Sequence, residues 1–503
     1  MKKIILRGLL VVGCIVAVGG VGFYVWLQSM LPAKEERIAH NNAVIIASID
    51  KQLEGINIEN VKSKKGLIEQ KSLDEIKEAL SSNQITYEEL TAYYLLNIKE
   101  YDQSENGNNA ISEVNPKAIE EARKYDQEGS SLELAGIPVL VKENINTNDM
   151  PTSAGSYALK DFIPKNNAEV IEELKSNGAI ILGKTNLSEM SHYMSQKNPS
   201  GYSSKKGQTT NPFNPLVLSP LGSSTGSAVA MATDLATLSL GTETAGSIVA
   251  PASVNSVVGY KPTRGNISGA GVIPITYSLD TVGVITKNVK DAYSMYSVST
   301  DKTIEINLNK DAIKGKVVGI IKSDDKVFDE KLLKKLEEIG ATAKIIEVDS
   351  SKIDTSFILK NDFEKDLNDY LQTNDAPIKS LEELVSYNKE DKEVRMRYGQ
   401  SHLEGALGVK RDDEKVKQII NEANELLNKT LKDNAFDILV GKNNSSALLA
   451  ATAGAPEISV PFGLLNNEPV AATFFAAVEE DAKVLELSYS FEQLTKLREI
   501  PNK

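Results

Sequence analysis

The sequence predicts an α/β fold: one large body in which helices and strands alternate, preceded by a single membrane-spanning helix. Three observations predict it. Short runs rich in Val, Ile and Leu alternate with longer amphipathic stretches from Leu67 to the C-terminus. No internal repeat, low-complexity tract or Pro/Gly linker follows residue 66, so the body reads as one unit, although a chain of 503 residues suggests about three domains on length alone. Finally, an uncharged apolar run fills residues 8–30 behind Lys2, Lys3 and Arg7.

Bulk composition narrows the classes. A hydrophobic content of 41% and a charged content of 25% are ordinary for a globular chain. The net charge of −13 argues against a nucleic-acid partner, which calls for a basic face. The one cysteine, Cys14, allows no intramolecular disulfide and no Cys-based metal site. No cluster of His, Cys and carboxylate calls for a metal or organic cofactor. There are three histidines, His40, His192 and His402. That scarcity matters, because most serine hydrolases take His as their base.

The first element is residues 1–30. Its apolar run is long enough for one transmembrane helix, and Tyr24 and Trp26 near its far end suit a membrane interface. The basic N-terminus predicts a cytoplasmic start and an exported remainder. An uncleaved signal-anchor is the preferred reading. A cleaved signal peptide lacks a clear A-x-A site. A lipoprotein reading rests on residues 11–14, Val-Val-Gly-Cys, but the apolar run continues well past Cys14. The expected location is the cell membrane with the body outside, or secretion if the segment is cleaved. Residues 31–65 read as a charged stalk with a helical middle, His40 solvated within it.

From residue 66 to 503 the pattern sharpens. Ser72-x-x-Glu75 and Thr86-x-x-Glu89 are capping-box signatures that predict helices over 73–82 and 87–102. Residues 115–127 read as a third helix with Pro116 at its first position. Val139, Leu140 and Val141 form a buried strand ending at Lys142. A lone Lys at a strand end is usually a solvated head group. Here apolar residues precede it and amide-rich ones follow, which points to a desolvated amine. Residues 170–190 read as helix, Gly turn, strand and loop. His192 follows in a polar loop; it could line a pocket, but a surface or packing role is expected.

Residues 218–264 are the stretch richest in Gly, Ser, Thr and Ala. Small residues suit a place where backbone must approach something closely. Two hydroxyl clusters, Ser223-Ser224 and Thr242/Thr244/Ser247, flank a short helix and a short apolar strand. They are expected to meet in space as a serine-based acyl-transfer site. Beyond 264, strands are predicted at 315–322, 342–348, 436–441, 456–461 and 471–477. Helices are predicted at 329–341, through much of 356–433, and at 481–498.

Residues 136–145 (GIPVLVKENI), 222–228 (GSSTGSA), 241–264 and 454–463 (GAPEISVPFG) together resemble the amidase signature family. Each motif is weak alone; their order and spacing are specific. The resemblance spans about residues 66–500. It implies a single domain with a central mixed β-sheet covered by helices on both faces. It also implies a Ser–cis-Ser–Lys triad. Matched residue by residue, the triad is Lys142, Ser223 and Ser247. Backbone N–H groups around Thr244, Ala245 and Gly246 form the implied oxyanion hole. The implied substrate is a small-molecule or peptide amide, and the closer likeness is to stand-alone, peptide-amidase-like members. The amidotransferase subunit that acts on charged transfer RNA fits an exported body badly.

The chemistry stands without the family. An amide needs a strong nucleophile, and a serine hydroxyl needs a base. With so few histidines a neutral Lys is the natural base, provided burial or a neighbouring cation lowers its pKa well below its free value of about 10.4. Departures from the family pattern are Thr225, Glu243, Ala245 and Val249, the last in place of an arginine. If position 245 required a left-handed backbone, Ala would cost about 1–2 kcal/mol there. The triad is intact, so a variant branch that still catalyses is expected.

Rival readings remain. Residues 222–226 satisfy G-x-S-x-G with Ser224 as an α/β-hydrolase nucleophile, though Pro215 and Pro220 interrupt the approach and the downstream histidine is His402. Ser203-x-x-Lys206 gives a chance match to penicillin-interacting enzymes in a flexible polar loop. A surface-anchored binding protein on an amidase fold would explain Ala245 and Val249 but not the retained triad.

Overall fold

The computed structural model describes residues 31–302 and 304–502. The apolar segment at residues 1–30 lies outside them. Among the described residues, no helix is long and apolar enough to cross a membrane.

Eleven strands form one mixed sheet, and two more form a small ribbon. In chain order they are β1 (Ile111–Val114), β2 (Pro138–Lys142), β3 (Ile180–Thr185), the ribbon β4 (Tyr202–Ser203) and β5 (Gly207–Gln208), β6 (Leu238–Glu243), β7 (Val258–Lys261), β8 (Thr281–Thr286), β9 (Val317–Ile321), β10 (Thr342–Ile346), β11 (Ile438–Lys442), β12 (Glu457–Leu465) and β13 (Glu468–Phe475). The sheet order is β1-β3-β2-β6-β8-β7-β12-β13-β11-β9-β10. β3, β2 and β6 are parallel neighbours, as are β11, β9 and β10. The strands between are antiparallel. The expected large α/β body with a mixed central sheet is thus observed. β2 and β6 are buried at every position. Such strands, covered on both faces, often read as continuous apolar runs, as β2 does up to Lys142, whereas β6 mixes apolar with small and polar residues.

Both capping boxes form. Ser72 Oγ accepts the Glu75 N–H while Glu75 accepts the Ser72 N–H, and Thr86 and Glu89 do the same. They start helices Leu73–Ser81 and Tyr87–Asn97. The third helix begins at Ala118 rather than Pro116. Asn115 Oδ1 takes the Lys117 N–H at 2.9 Å, and this side-chain turn displaces the helix start.

Residues 31–65 are not a free stalk. Helix Asn42–Leu53 buries Ile45, Ile49 and Leu53, and helix Ile58–Ser63 buries Val61, all within the main core. Burial of apolar side chains of this size stabilises by about 1.5–3 kcal/mol each, which fastens the segment to the body. His40 is exposed, as expected.

Residues 355–433 form a helical layer of their own. Phe363, Leu367, Tyr370, Leu384 and Leu403 from this layer share one apolar cluster with Leu187, Met190, Tyr193 and Ile275. The layer therefore sits on the loops that follow β3 and precede β8.

Candidate active site

Lys142 ends β2 with its side chain fully buried. Its Nζ lies 2.7 Å from Ser223 Oγ, 2.8 Å from Thr242 Oγ1 and 3.1 Å from Thr242 O. Desolvation brings its pKa down to about 7, against a smaller upward pull from Asp280 and Glu243. Asn144 Nδ2 donates to the same Thr242 hydroxyl at 3.0 Å, which fixes that oxygen beside the amine. The strand is apolar because the sheet centre is dry, and the same dryness unloads the proton from the lysine that closes it.

Ser223 is fully buried and lies just before helix Thr225–Ala232; the Gly222–Ser223 peptide is cis. Ser247 lies in the turn between β6 and helix Val249–Val254, with 9% of its surface exposed. The two segments are stitched by the Ser224 N–H, which donates to Ser247 O at 3.0 Å. The two hydroxyl clusters singled out in the sequence therefore do meet.

A cavity of about 230 Å³ opens beside this turn, with Gly222, Thr244, Ala245 and Ser247 in its wall. Among the described residues, no protein group accepts from the N–H of Ala245, Gly246 or Ser247, whereas those of Ile248 and Val249 are taken by Glu243. Three adjacent donors are left beside the Ser247 hydroxyl. Gly246 carries the positive φ of this turn, +88°, and Ala245 does not. The left-handed position falls on the glycine, so Ala245 carries no conformational penalty. Thr244 is anchored by its hydroxyl to Asp280 Oδ1 at 2.5 Å. Asp280 also accepts the N–H groups of Ile275 and Thr276, and burial pushes its pKa up to about 7. It lines a separate cavity of about 260 Å³ that reaches Thr242 from another side.

The other sequence candidates part company with the site. Ser224 is fully buried, and its Oγ is tied to Thr242 at both its carbonyl and its N–H. It is a structural clasp, with no free hydroxyl for attack. His402 stacks on Tyr193 at 5.3 Å between ring centroids. The Ser203-x-x-Lys206 stretch, expected as a flexible loop, is buried. Lys206 Nζ bonds His40 O, Asn42 Oδ1 and Gln103 Oε1 and so ties the N-terminal segment down.

Several cavity residues were not legible in the sequence as site residues, among them Tyr193, Leu221, Ile275, Leu359 and Asn444. Asn444 lies two residues past the end of β11, and a polar residue just beyond the carboxyl end of a strand was an available signal. Tyr193 and Leu359 carried none, since each reads as an ordinary apolar position. His192, for which the sequence favours a surface or packing role over lining a pocket, is also in the cavity wall. Burial, then His402 and Lys142, lowers its pKa to about 4, so its ring is neutral at physiological pH.

A neutral buried lysine against a serine can activate a hydroxyl for attack on a carbonyl, the chemistry of serine acyl transfer. The comparisons specify the family. The family model described as Amidase matches residues 89–389. An amidase family protein from Bacillus anthracis str. Ames is similar over 94% of this chain and 100% of its own, with 39% identity and a TM-score of 0.91. Native peptide amidase from Stenotrophomonas maltophilia is 31% identical with a TM-score of 0.81, over 86% of this chain and 99% of its own. A probable amidase of Arabidopsis thaliana is 32% identical over 86% of this chain and 92% of its own length. The chain belongs to the amidase family.

Proposed function

We propose that this amidase hydrolyses carboxylic amides through an acyl-enzyme, with Ser247 as nucleophile, Ser223 as proton relay and Lys142 as base. The observation that carries the reading is the fully buried Lys142 amine, 2.7 Å from Ser223 Oγ and lowered to about pKa 7. Neutral Lys142 takes the Ser223 proton while Ser223 takes that of Ser247. The Ser247 oxygen attacks the carbonyl carbon, and the N–H groups of Ala245, Gly246 and Ser247 receive the developing oxyanion. The proton returns through Ser223 to the departing nitrogen, the C–N bond breaks, and ammonia or an amine leaves. Water then attacks the ester by the reverse relay, giving the carboxylate and free Ser247.

The cavity also argues for a substrate type. Tyr193, Leu221, Ile275 and Leu359 supply apolar wall, Asn444 and neutral His192 supply polar contacts, and no lining side chain carries a formal charge. A charged acyl group would be desolvated there without a counter-ion, at a cost of several kcal/mol. The favoured substrates are amides of uncharged acyl groups, rather than glutamine. The body is exported and anchored by residues 1–30 in this reading; the support is the uncharged run behind three basic residues.

Labelling the full-length protein in detergent with a fluorophosphonate, followed by mass spectrometry, tests the nucleophile. The expected adduct is on Ser247, with faster hydrolysis of neutral apolar amides than of glutamine. An adduct on Ser224, or no adduct on folded protein that also turns over no amide, removes the mechanism.

A further inference from the structure

Beneath the Ser247 turn lie two buried carboxyl groups that the mechanism above does not use. Glu243 ends β6 with 1% of its surface exposed. Its Oε2 accepts the N–H groups of Ile248 at 2.6 Å and Val249 at 3.0 Å, the two residues after Ser247. Its Oε1 has no hydrogen-bond donor. Glu457 opens β12, opposite Lys261 of β7, and is fully buried. Neither of its oxygens has a donor. The two carboxyl groups are within hydrogen-bonding reach of each other.

Lys261 does not resolve the pair by itself. Its Nζ is directed at the carbonyls of Ala455 and Pro262. The facing residue of β13, Phe475, is uncharged, and helix Val249–Val254 contains no ionisable residue. Glu243 and Lys261 are therefore the charged groups that act on Glu457. Burial first, and Glu243 second, push the Glu457 carboxyl well above its usual range, against a smaller opposing pull from Lys261. Two adjacent buried carboxyls cannot both ionise, and a single shared proton satisfies orphan oxygens on both.

We propose that Glu457 is a positioning residue that stays protonated and donates its carboxylic hydrogen to Glu243 Oε1, fixing the carboxylate that holds the backbone behind the nucleophile. Val249 supplies no cation at this spot, so the turn is held by an acid pair. The argument for position rests on Ser247 being the nucleophile; the argument for the proton does not.

The test uses Glu457→Gln and Glu457→Leu in the full-length protein. The Gln amide donates to Glu243 as the acid does, so Glu457→Gln keeps near-wild-type kcat at neutral pH. It also retains activity at alkaline pH, where the wild type falls as Glu457 loses its proton. Glu457→Leu has no donor and loses about tenfold or more in kcat, because the nucleophile turn is no longer fixed. Equal rates and equal pH profiles for folded Gln and Leu variants overturn the positioning role. Infrared difference spectra of Glu457→Gln against wild type at neutral pH are expected to lose one protonated-carboxyl carbonyl band. A spectrum without that loss overturns the acid pair, whether or not any amide is hydrolysed.

Discussion

Lys142 and Lys184 stand on neighbouring strands, both fully buried, and desolvation lowers both to about pKa 7. β2 and β3 run parallel with Val141 opposite Lys184, so the two lysines project to opposite faces of the sheet. Lys184 Nζ donates to Ile145 O at 2.6 Å and Thr152 Oγ1 at 2.8 Å, and neither partner belongs to the proposed relay. Lys142 faces Ser223 and the turn that carries Ser247. A depressed lysine is therefore not in itself a sign of catalysis. Burial supplies the neutral amine at both places; the neighbouring hydroxyl makes one of them useful. Lys205 completes the contrast: equally buried, it meets Glu113 and Glu143, and its pKa is raised instead.

The sharpest way to break this contrast is to remove what only Lys142 serves. Ser247→Ala is expected to lower kcat by about 10⁴-fold or more, leaving substrate binding largely intact. Lys142→Met should cost about 10²–10⁴-fold, the range of a lost general base. It should also abolish the pH dependence in which wild-type kcat/KM rises through about pH 7 as the amine loses its proton. If Lys184→Met gave the same loss of rate and the same flattened profile, the distinction drawn here would collapse.

Next in size is the backbone of the turn. Gly246→Ala places a side chain at φ +88°, where its Cβ would meet Ala447 Cβ at an ordinary 3.5 Å. There is room, so the cost is conformational, about 1–2 kcal/mol in stability, with a fall in kcat as the donors shift. Ala245→Gly is expected to gain no rate, because position 245 is not left-handed.

The smallest effect sharpens the comparison through stability. Lys184→Met should leave kcat and its pH profile close to wild type. Each lysine binds a proton in the unfolded chain up to its ordinary pKa, but in the folded chain only below about 7. Stability supplied by this difference rises with pH between those limits, by at most about 1.4 kcal/mol per pH unit for each lysine. Lys184→Met should therefore flatten the stability slope above pH 7 relative to wild type, measured by denaturant unfolding, without touching the rate.

Much of the fold was legible, for reasons that can be named. The capping boxes at Ser72 and Thr86 are local, and they started their helices where the sequence placed them. β2, β3, β9 and β11 are runs of Val, Ile and Leu whose burial on both faces leaves a continuous apolar signature. β7 and β8 were not predicted as strands, and their glycines pack tightly. A Cβ at Gly283 would lie 2.3 Å from Tyr260 O, and one at Gly259 would lie 2.6 Å from Ala252 Cβ. Close packing between neighbours requires those glycines, a need that only the contact between strands reveals. The stalk reading of residues 31–65 failed for a related reason. Sparse apolar residues such as Ile45, Ile49 and Val61 look insufficient alone, and only the body shows what they cover.

The class of fold, the family and the Lys and Ser candidates could be read from local motifs, because the Lys, paired-Ser and Gly-Ser stretches are each contiguous and their order along the chain carries them. Only the tertiary structure decided which buried lysine faces a serine, which residue of the turn is left-handed, and that Glu243 meets Glu457. It also decided that Tyr193, Leu359 and Asn444 wall one cavity. Those facts depend on desolvation and on contacts between segments far apart in the chain. A side chain's pKa and its partner are properties of its surroundings, and the surroundings exist only once the sheet has closed around Lys142.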